Sequence, residues 1–288
     1  MKIKKRWIVI FLFPGTLLFL FVYLASIANV FGTSFTDWRI GQAIHFIGFG
    51  NYTSLVKSDV FLKALGNNLI WIILQSTIHV AIGVLFALII VQKKWYHRAS
   101  QTIFMLPNIL SSAALGMLFY NVFNPSYGPV NKIVQFFGNK NFNVNWYANS
   151  GTAFFAVTLT WLPFAAVIAI LATAEISAIS DDIFEAAIID GAGEFQINWR
   201  IRLPLLKNAI GTGTILAATS MLQKMDILIM TSNGGPGNQT MNLPLLIYLT
   251  AMQQYNFGLA NAYGVILILI GLASIGIINK IYRMNEPV

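Results

Sequence analysis

Long apolar runs, each about as long as a lipid bilayer is thick, alternate along this chain with shorter polar segments. Six stretches stand out, at about 7–32, 68–91, 101–123, 152–174, 205–231 and 258–281. The first carries no charge from Trp7 to Phe31, about 25 residues. At about 1.5 Å rise per residue it would reach about 37 Å, against a hydrocarbon core of about 30 Å. The apolar region of a signal peptide is only ~7–15 residues and precedes a small-residue cleavage site. This run is longer and has no clear site of that kind, so it reads as a retained span. The pattern predicts an all-α integral membrane protein with about six transmembrane helices, forming a single domain over 1–288. Pro14, Pro107 and Pro163 fall inside or at the edge of spans, where neighbouring helices can satisfy the carbonyls they free. The fifth stretch is the most polar, because it holds Gln223, Lys224 and Asp226; Lys224 and Asp226 are two apart and share no helical face, so they either pair with different neighbours or mark a break in the helix.

Composition agrees with a membrane solvent. Only 10% of residues are charged and 57% are hydrophobic, whereas a soluble domain carries roughly 25% charged residues. The net charge of +8 is explained by where the basic residues lie. Lys2, Lys4, Lys5 and Arg6, Lys93, Lys94 and Arg98, Arg200, Arg202 and Lys207, and Lys280 and Arg283 fall on one side of the predicted topology. Arg39, Lys57, Lys63, Lys132 and Lys140 fall on the other. The positive-inside rule then puts both termini, the 2–3 loop and the 4–5 loop in the cytoplasm. No basic stripe interleaves with aromatics outside the spans, so no nucleic-acid partner is expected. The absence of cysteine excludes disulfides and thiolate chemistry.

The 4–5 loop, residues 175–204, concentrates the charge. Glu175, Asp181, Asp182, Glu185, Asp190 and Glu194 are six of the ten acidic residues in the chain. Ser180 is placed to cap a short helix, with Asp181 and Asp182 at its positive end. Ile183, Phe184, Ala187 and Ile188 give it an apolar stripe. Gly191 and Gly193 would end it. A second short helix would carry Phe195 and Trp199 on one face, and Pro204 suits the first turn of the fifth span. Exposed apolar faces in a loop need a cover, which could be this protein's own helices or a separate cytoplasmic protein.

Glu185-Ala186-Ala187, Gly191 after three residues, and Ile201-x-Leu203-Pro204 after nine more follow the pattern EAA-x3-G-x9-I-x-L-P. This resembles the cytoplasmic loop of membrane subunits of binding-protein-dependent ABC importers. Phe35-Thr36-Asp37-Trp38, Gly48-Phe49-Gly50-Asn51-Tyr52 and Asn233-Gly234-Gly235-Pro236-Gly237 are similar to the carbohydrate branch, which handles maltose, oligosaccharides and glycerol phosphate. The resemblance implies that Glu185, Ala186, Ala187, Gly191, Ile201, Leu203 and Pro204 form a coupling helix seated in a cytoplasmic ATPase dimer. It also implies a second, homologous permease subunit, an extracytoplasmic solute-binding protein, a sugar substrate and a bacterial plasma membrane. The chain has no G-x-x-x-x-G-K-[ST] loop, so it is expected to carry no cofactor of its own, with ATP and Mg²⁺ bound by the partner ATPase.

Polar residues inside spans are costly and tend to face a cavity or a partner helix. Asn68, Gln75, His79, Trp161, Gln223, Lys224 and Asp226 are the candidates for a substrate pathway; Asn68, His79 and Trp161 read more readily as helix–helix hydrogen-bonding or interface-anchoring groups. An ion-coupled secondary transporter would spread ionisable residues through several spans, whereas here they cluster in one span and one loop. An embedded enzyme would need a catalytic constellation. His45, His79 and His97 are scattered, and no H-E-x-x-H or G-x-S-x-G motif occurs.

Overall fold

The computed structural model describes residues 5–91 and 97–284, and is helical, with two isolated β-bridges and no strand among the described residues. Lys2, Lys4, Lys93 and Lys94, on which much of the predicted orientation depends, lie outside the described residues.

The first helix, α1 (Lys5–Thr33), is apolar on all sides, and every residue from Ile10 to Asn29 is exposed. A helix without a polar face is at home only in lipid or against another membrane chain. After the short α2 (Gly50–Val56), α3 (Asp59–Leu74), a π-helical turn (Gln75–His79) and α4 (Val80–Ile90) run on as one 32-residue helix. It starts at Asp59, ahead of the predicted 68; a carboxylate suits the positive end of the helix dipole.

The third predicted span is bent. α5 (His97–Ile109) and α6 (Ser112–Val122) meet at 104°. Pro107 lies in the last turn of α5, and the Ser111 hydroxyl caps α6 by accepting from the Ala114 N–H at 3.2 Å. A further helix, α7 (Pro129–Phe136), follows.

The stretches predicted as the fourth and fifth spans are each interrupted. The fourth consists of α8 (Ala153–Leu159) and α9 (Ala166–Ala178), separated by a turn containing Pro163. Proline has no N–H and crowds the preceding turn, so the helix cannot pass through it undisturbed. The 4–5 loop holds α10 (Asp181–Ile189), α11 (Glu194–Ile197), a second π turn (Asn198–Arg202) and α12 (Leu203–Leu205). The fifth stretch is α13 (Lys207–Ser220) and α14 (Asp226–Met230). No proline lies between them. Instead the Thr219 and Ser220 hydroxyls bond back to the Ile215 and Ala217 carbonyls at 2.8 and 2.7 Å, and the N–H groups of Met221, Leu222 and Gln223 reach three residues back. That tightening ends the helix.

Between the fifth and sixth predicted stretches lies a further apolar helix, α15 (Leu243–Tyr248), with a third π turn (Leu249–Gln253). The long α16 (Phe257–Tyr282) ends the fold. Among the described residues, three unbroken helices are therefore long and apolar enough to cross a membrane, Ile10–Thr33, Asp59–Ile90 and Phe257–Tyr282, with a fourth if the bent pair is one span.

The contacts divide into two units. One comprises the chain through Asp59 with Leu246–Ile268. In it Asn51 donates from Nδ2 to the carbonyls of Ser34 and Thr36, both at 2.8 Å, and the Phe35, Phe49 and Tyr52 rings cluster. The two sequence motifs around Phe35–Trp38 and Gly48–Tyr52 thus form one small structure. Asp37 accepts from the His45 backbone N–H and pairs with its ring, which holds the Asp37 carboxyl below its ordinary range.

The other unit, Val60–Leu245 with Leu269 onward, contains the main core. Val80, Val84, Ala87 and Leu88 of α4 pack with Ile168, Ala172 and Ile176 of α9 and Ala217 of α13. Small residues set the spacing. A Cβ on Gly83 would lie 2.6 Å from Ile168 Cβ, and one on Gly116 of α6 would lie 2.9 Å from Met230 Cβ beside α14. Close helix approach through small residues is the usual packing mode where lipid removes the hydrophobic drive.

Candidate functional site

Both interruptions border the same cavity, of about 260 Å³, lined among others by Gln75, His79, Asn108, Trp161, Ser220 and Lys224. Irregular backbone at membrane depth must satisfy its freed polar groups inside the protein or along a water-filled space. Here side chains do much of this. His79 Nδ1 lies 2.8 Å from the Leu162 carbonyl, and Asn108 Nδ2 donates to the Phe164 carbonyl at 3.2 Å. These are the carbonyls on either side of Pro163. At the second break, Asn242 Nδ2 donates to the Lys224 carbonyl at 2.6 Å.

The π-helical turn Gln75–His79 brings two polar side chains of α3–α4 to the cavity wall. Both are buried, as is Trp161. The Lys224 ammonium sits 5.7 Å from the centre of the Trp161 ring, within cation–π range. Trp161 in turn meets Trp71 edge-on at 5.2 Å, and Trp71 Nε1 donates to Thr158 Oγ1 at 2.8 Å. The aromatic wall is therefore held in place from behind.

Of the sequence candidates, Gln75, His79, Trp161 and Lys224 come together at this cavity. Gln223 and Asp226 are exposed and are not among its lining residues. Asn68 is fully buried and works as a strut: its Oδ1 accepts from the Leu243 N–H at 3.0 Å, and Asn67 beside it donates to the carbonyls of Gln239 and Met241 at 2.9 and 2.7 Å. Sequence reasoning did not single out Asn108 or Ser220. The only available signal was an asparagine next to Pro107 and a hydroxyl just before Gln223-Lys224.

The second region is the 4–5 loop. Ser180 caps α10, accepting from the Asp182 N–H. At the other end Ala192 N–H reaches the Ala187 carbonyl at 2.9 Å and Gly191 N–H the Ile188 carbonyl at 3.0 Å, with Gly191 at φ +82°. That is a Schellman motif, in which the left-handed residue is nearly always glycine. Every α10 residue is exposed or half-buried. Glu185 and Ala186 face outward and Ala187 is half-buried; Ile201 and Leu203 are half-buried, Pro204 is exposed, and Leu203 packs on the main core. Ile189, Phe195 and Trp199 are 85%, 78% and 62% exposed, and the last two rings lie parallel.

Arg202, the unspecified position in I-x-L-P, is only 8% exposed. It donates to the Glu194 carboxylate and, at 2.6 Å, to Asn198 Oδ1, and its guanidinium lies 4.8 Å from the centre of the Phe184 ring. It ties α10 to the turn after α11. Spacing alone could not reveal this, because residues eight and eighteen positions apart meet only once the loop has folded.

Residues 79–286 match the family model described as binding-protein-dependent transport system inner membrane component. This chain belongs to that family. The permease is 31% identical over 281 residues to the multiple sugar-binding transport system permease protein MsmF of Streptococcus mutans, covering 95% of this chain and 94% of that one. It is 29% identical over 269 residues to the probable ABC transporter permease protein YurN of Bacillus subtilis, covering 92% and 91%. In fold it matches a chain from the crystal structure of a bacterial alginate ABC transporter in complex with an alginate pentasaccharide-bound periplasmic protein. The TM-score is 0.84 at 22% identity, over 99% of the permease and 97% of that chain. It is therefore a multi-pass membrane permease of an ABC importer.

Proposed function

We propose that the permease forms one half of the membrane channel of a carbohydrate importer, paired with a second homologous permease subunit in a bacterial plasma membrane. α10 is the handle by which an ATPase dimer moves it. The observation that carries this reading is the α10 geometry. The helix is capped at both ends and stands clear of the chain's own core, with apolar residues beside it exposed. Such a surface in water calls for a protein cover. The chain has no phosphate-binding loop, so ATP and Mg²⁺ belong to that partner and energy enters through the handle. Movement of a packed bundle between two arrangements would open the cavity to each side in turn.

The carbohydrate assignment draws on the sugar-binding system named for MsmF and on the mixture of aromatic and amide groups at the cavity. The periplasmic protein in the alginate complex supports an extracytoplasmic binding protein as a further partner. The test is crosslinking. A cysteine at Ala186, with a partner cysteine in the ATPase cleft, should yield an intersubunit disulfide in native membranes. Failure to crosslink, in complexes shown to assemble, would remove the handle from this account.

A further inference from the structure

The cavity between the two breaks holds a group that a neutral sugar does not require, and the step taken here rests on the carbohydrate reading above. Hydroxyls are recognised by amides, other hydroxyls and aromatic faces. A lysine ammonium at membrane depth is expensive unless it is compensated. Lys224 is half-buried and has the Trp161 ring at 5.7 Å, within cation–π range; a neutral ring offsets only part of the hydration its ammonium loses.

No carboxylate lines the cavity among the described residues. Lys224 belongs to neither of the ion pairs His45–Asp37 and Arg202–Glu194, which lie away from the cavity. Asp226, the only acidic residue within the six apolar stretches, is exposed and does not line the cavity. His79 and Asn108 are already committed to backbone carbonyls. Gln75, 4% exposed, keeps an Oε1 with no hydrogen-bond partner. A cation with no acidic neighbour therefore faces this small space.

We infer that the cargo is an anionic carbohydrate, whose carboxylate or phosphate group pairs with Lys224. The ligand supplies the charge that the chain omits, and its release returns the site to a hydrated ammonium.

The assembled importer in proteoliposomes tests this with three labelled probes: a neutral disaccharide, its uronic-acid counterpart and its phosphorylated counterpart. ATP-dependent uptake of an acidic probe is expected, and the two acidic probes distinguish carboxylate from phosphate. Lys224→Met should lower the ratio of acidic to neutral uptake roughly 10–100-fold, the scale of a lost charge-assisted hydrogen bond. Lys224→Arg should keep most of that ratio. Uptake of the neutral probe alone, or an unchanged ratio in Lys224→Met, would overturn the inference and leave the importer reading intact; the second permease subunit would then be the source of the counter-charge. Uptake of none of the three by a complex that hydrolyses ATP would overturn the carbohydrate reading, and this inference with it.

Discussion

Gly191 shows how one backbone dihedral can decide the use of a loop. At φ +82° a side chain meets no neighbour, since nothing lies within 4 Å of a Cβ built there. The penalty is conformational, roughly 1–2 kcal/mol for an L-residue in the left-handed region, and it is least for asparagine. Gly191→Val should therefore insert normally but lose most transport, while Gly191→Asn should retain much of it. Uptake per inserted molecule measures both, and equal loss in the two variants would point away from the turn. Arg202 acts through its neighbours. Arg202→Met keeps bulk under Phe184 but leaves Glu194 and Asn198 without their donor. The expected result is a complex that assembles and still hydrolyses ATP, with uptake uncoupled from hydrolysis, read as the ratio of the two rates.

At the scale of elements, the interrupted helices depend on side chains from other segments. Asn68→Ala would strand the buried Leu243 N–H, at a cost of about 1–3 kcal/mol, and loosen the start of α15. A lower melting temperature in detergent, with partners still bound, is the expected signature. Helix spacing gives a second check. Gly83→Val should be strongly destabilising, because its Cβ would fall 2.6 Å from that of Ile168 inside the core, and overpacking costs roughly 1–3 kcal/mol. Gly276→Ala, with open space around its Cβ, should be neutral. Similar thermal shifts for the two would argue against close α4–α9 packing.

Across the whole molecule, apolar exposure and charge placement work together. α1 presents apolar side chains in every direction, which water would not tolerate but lipid or a second membrane subunit would. The basic residues at both ends and in the 4–5 loop predict a shared cytoplasmic side. Thiol-labelling of single cysteines at the N-terminus, at Ala186 and at the C-terminus should be blocked in intact cells and appear after permeabilisation. Labelling of any one of them from outside would reverse the handle.

Much of this was legible in the chain itself. Membrane residence follows from apolar length and scarce charge, and the capped α10, its acidic first turn and its terminal glycine follow from local rules that need only neighbours in sequence. The spacing of the loop motif carried the family because it too is a local pattern. The break at 160–165 was not legible as a break, although Pro163 marked where it falls; at 221–225 the spacing of Lys224 and Asp226 left a broken helix open as one of two readings. A helix stays broken in a membrane only if distant groups take up the freed carbonyls, and His79, Asn108 and Asn242 do so from other segments. For the same reason only the tertiary structure could bring Gln75, Trp161 and Lys224 to one cavity, leave Gln223 and Asp226 outside it, and bury Arg202 beneath Phe184. Composition and periodicity determine which solvent each segment can accept; which polar groups face each other is decided when the helices pack.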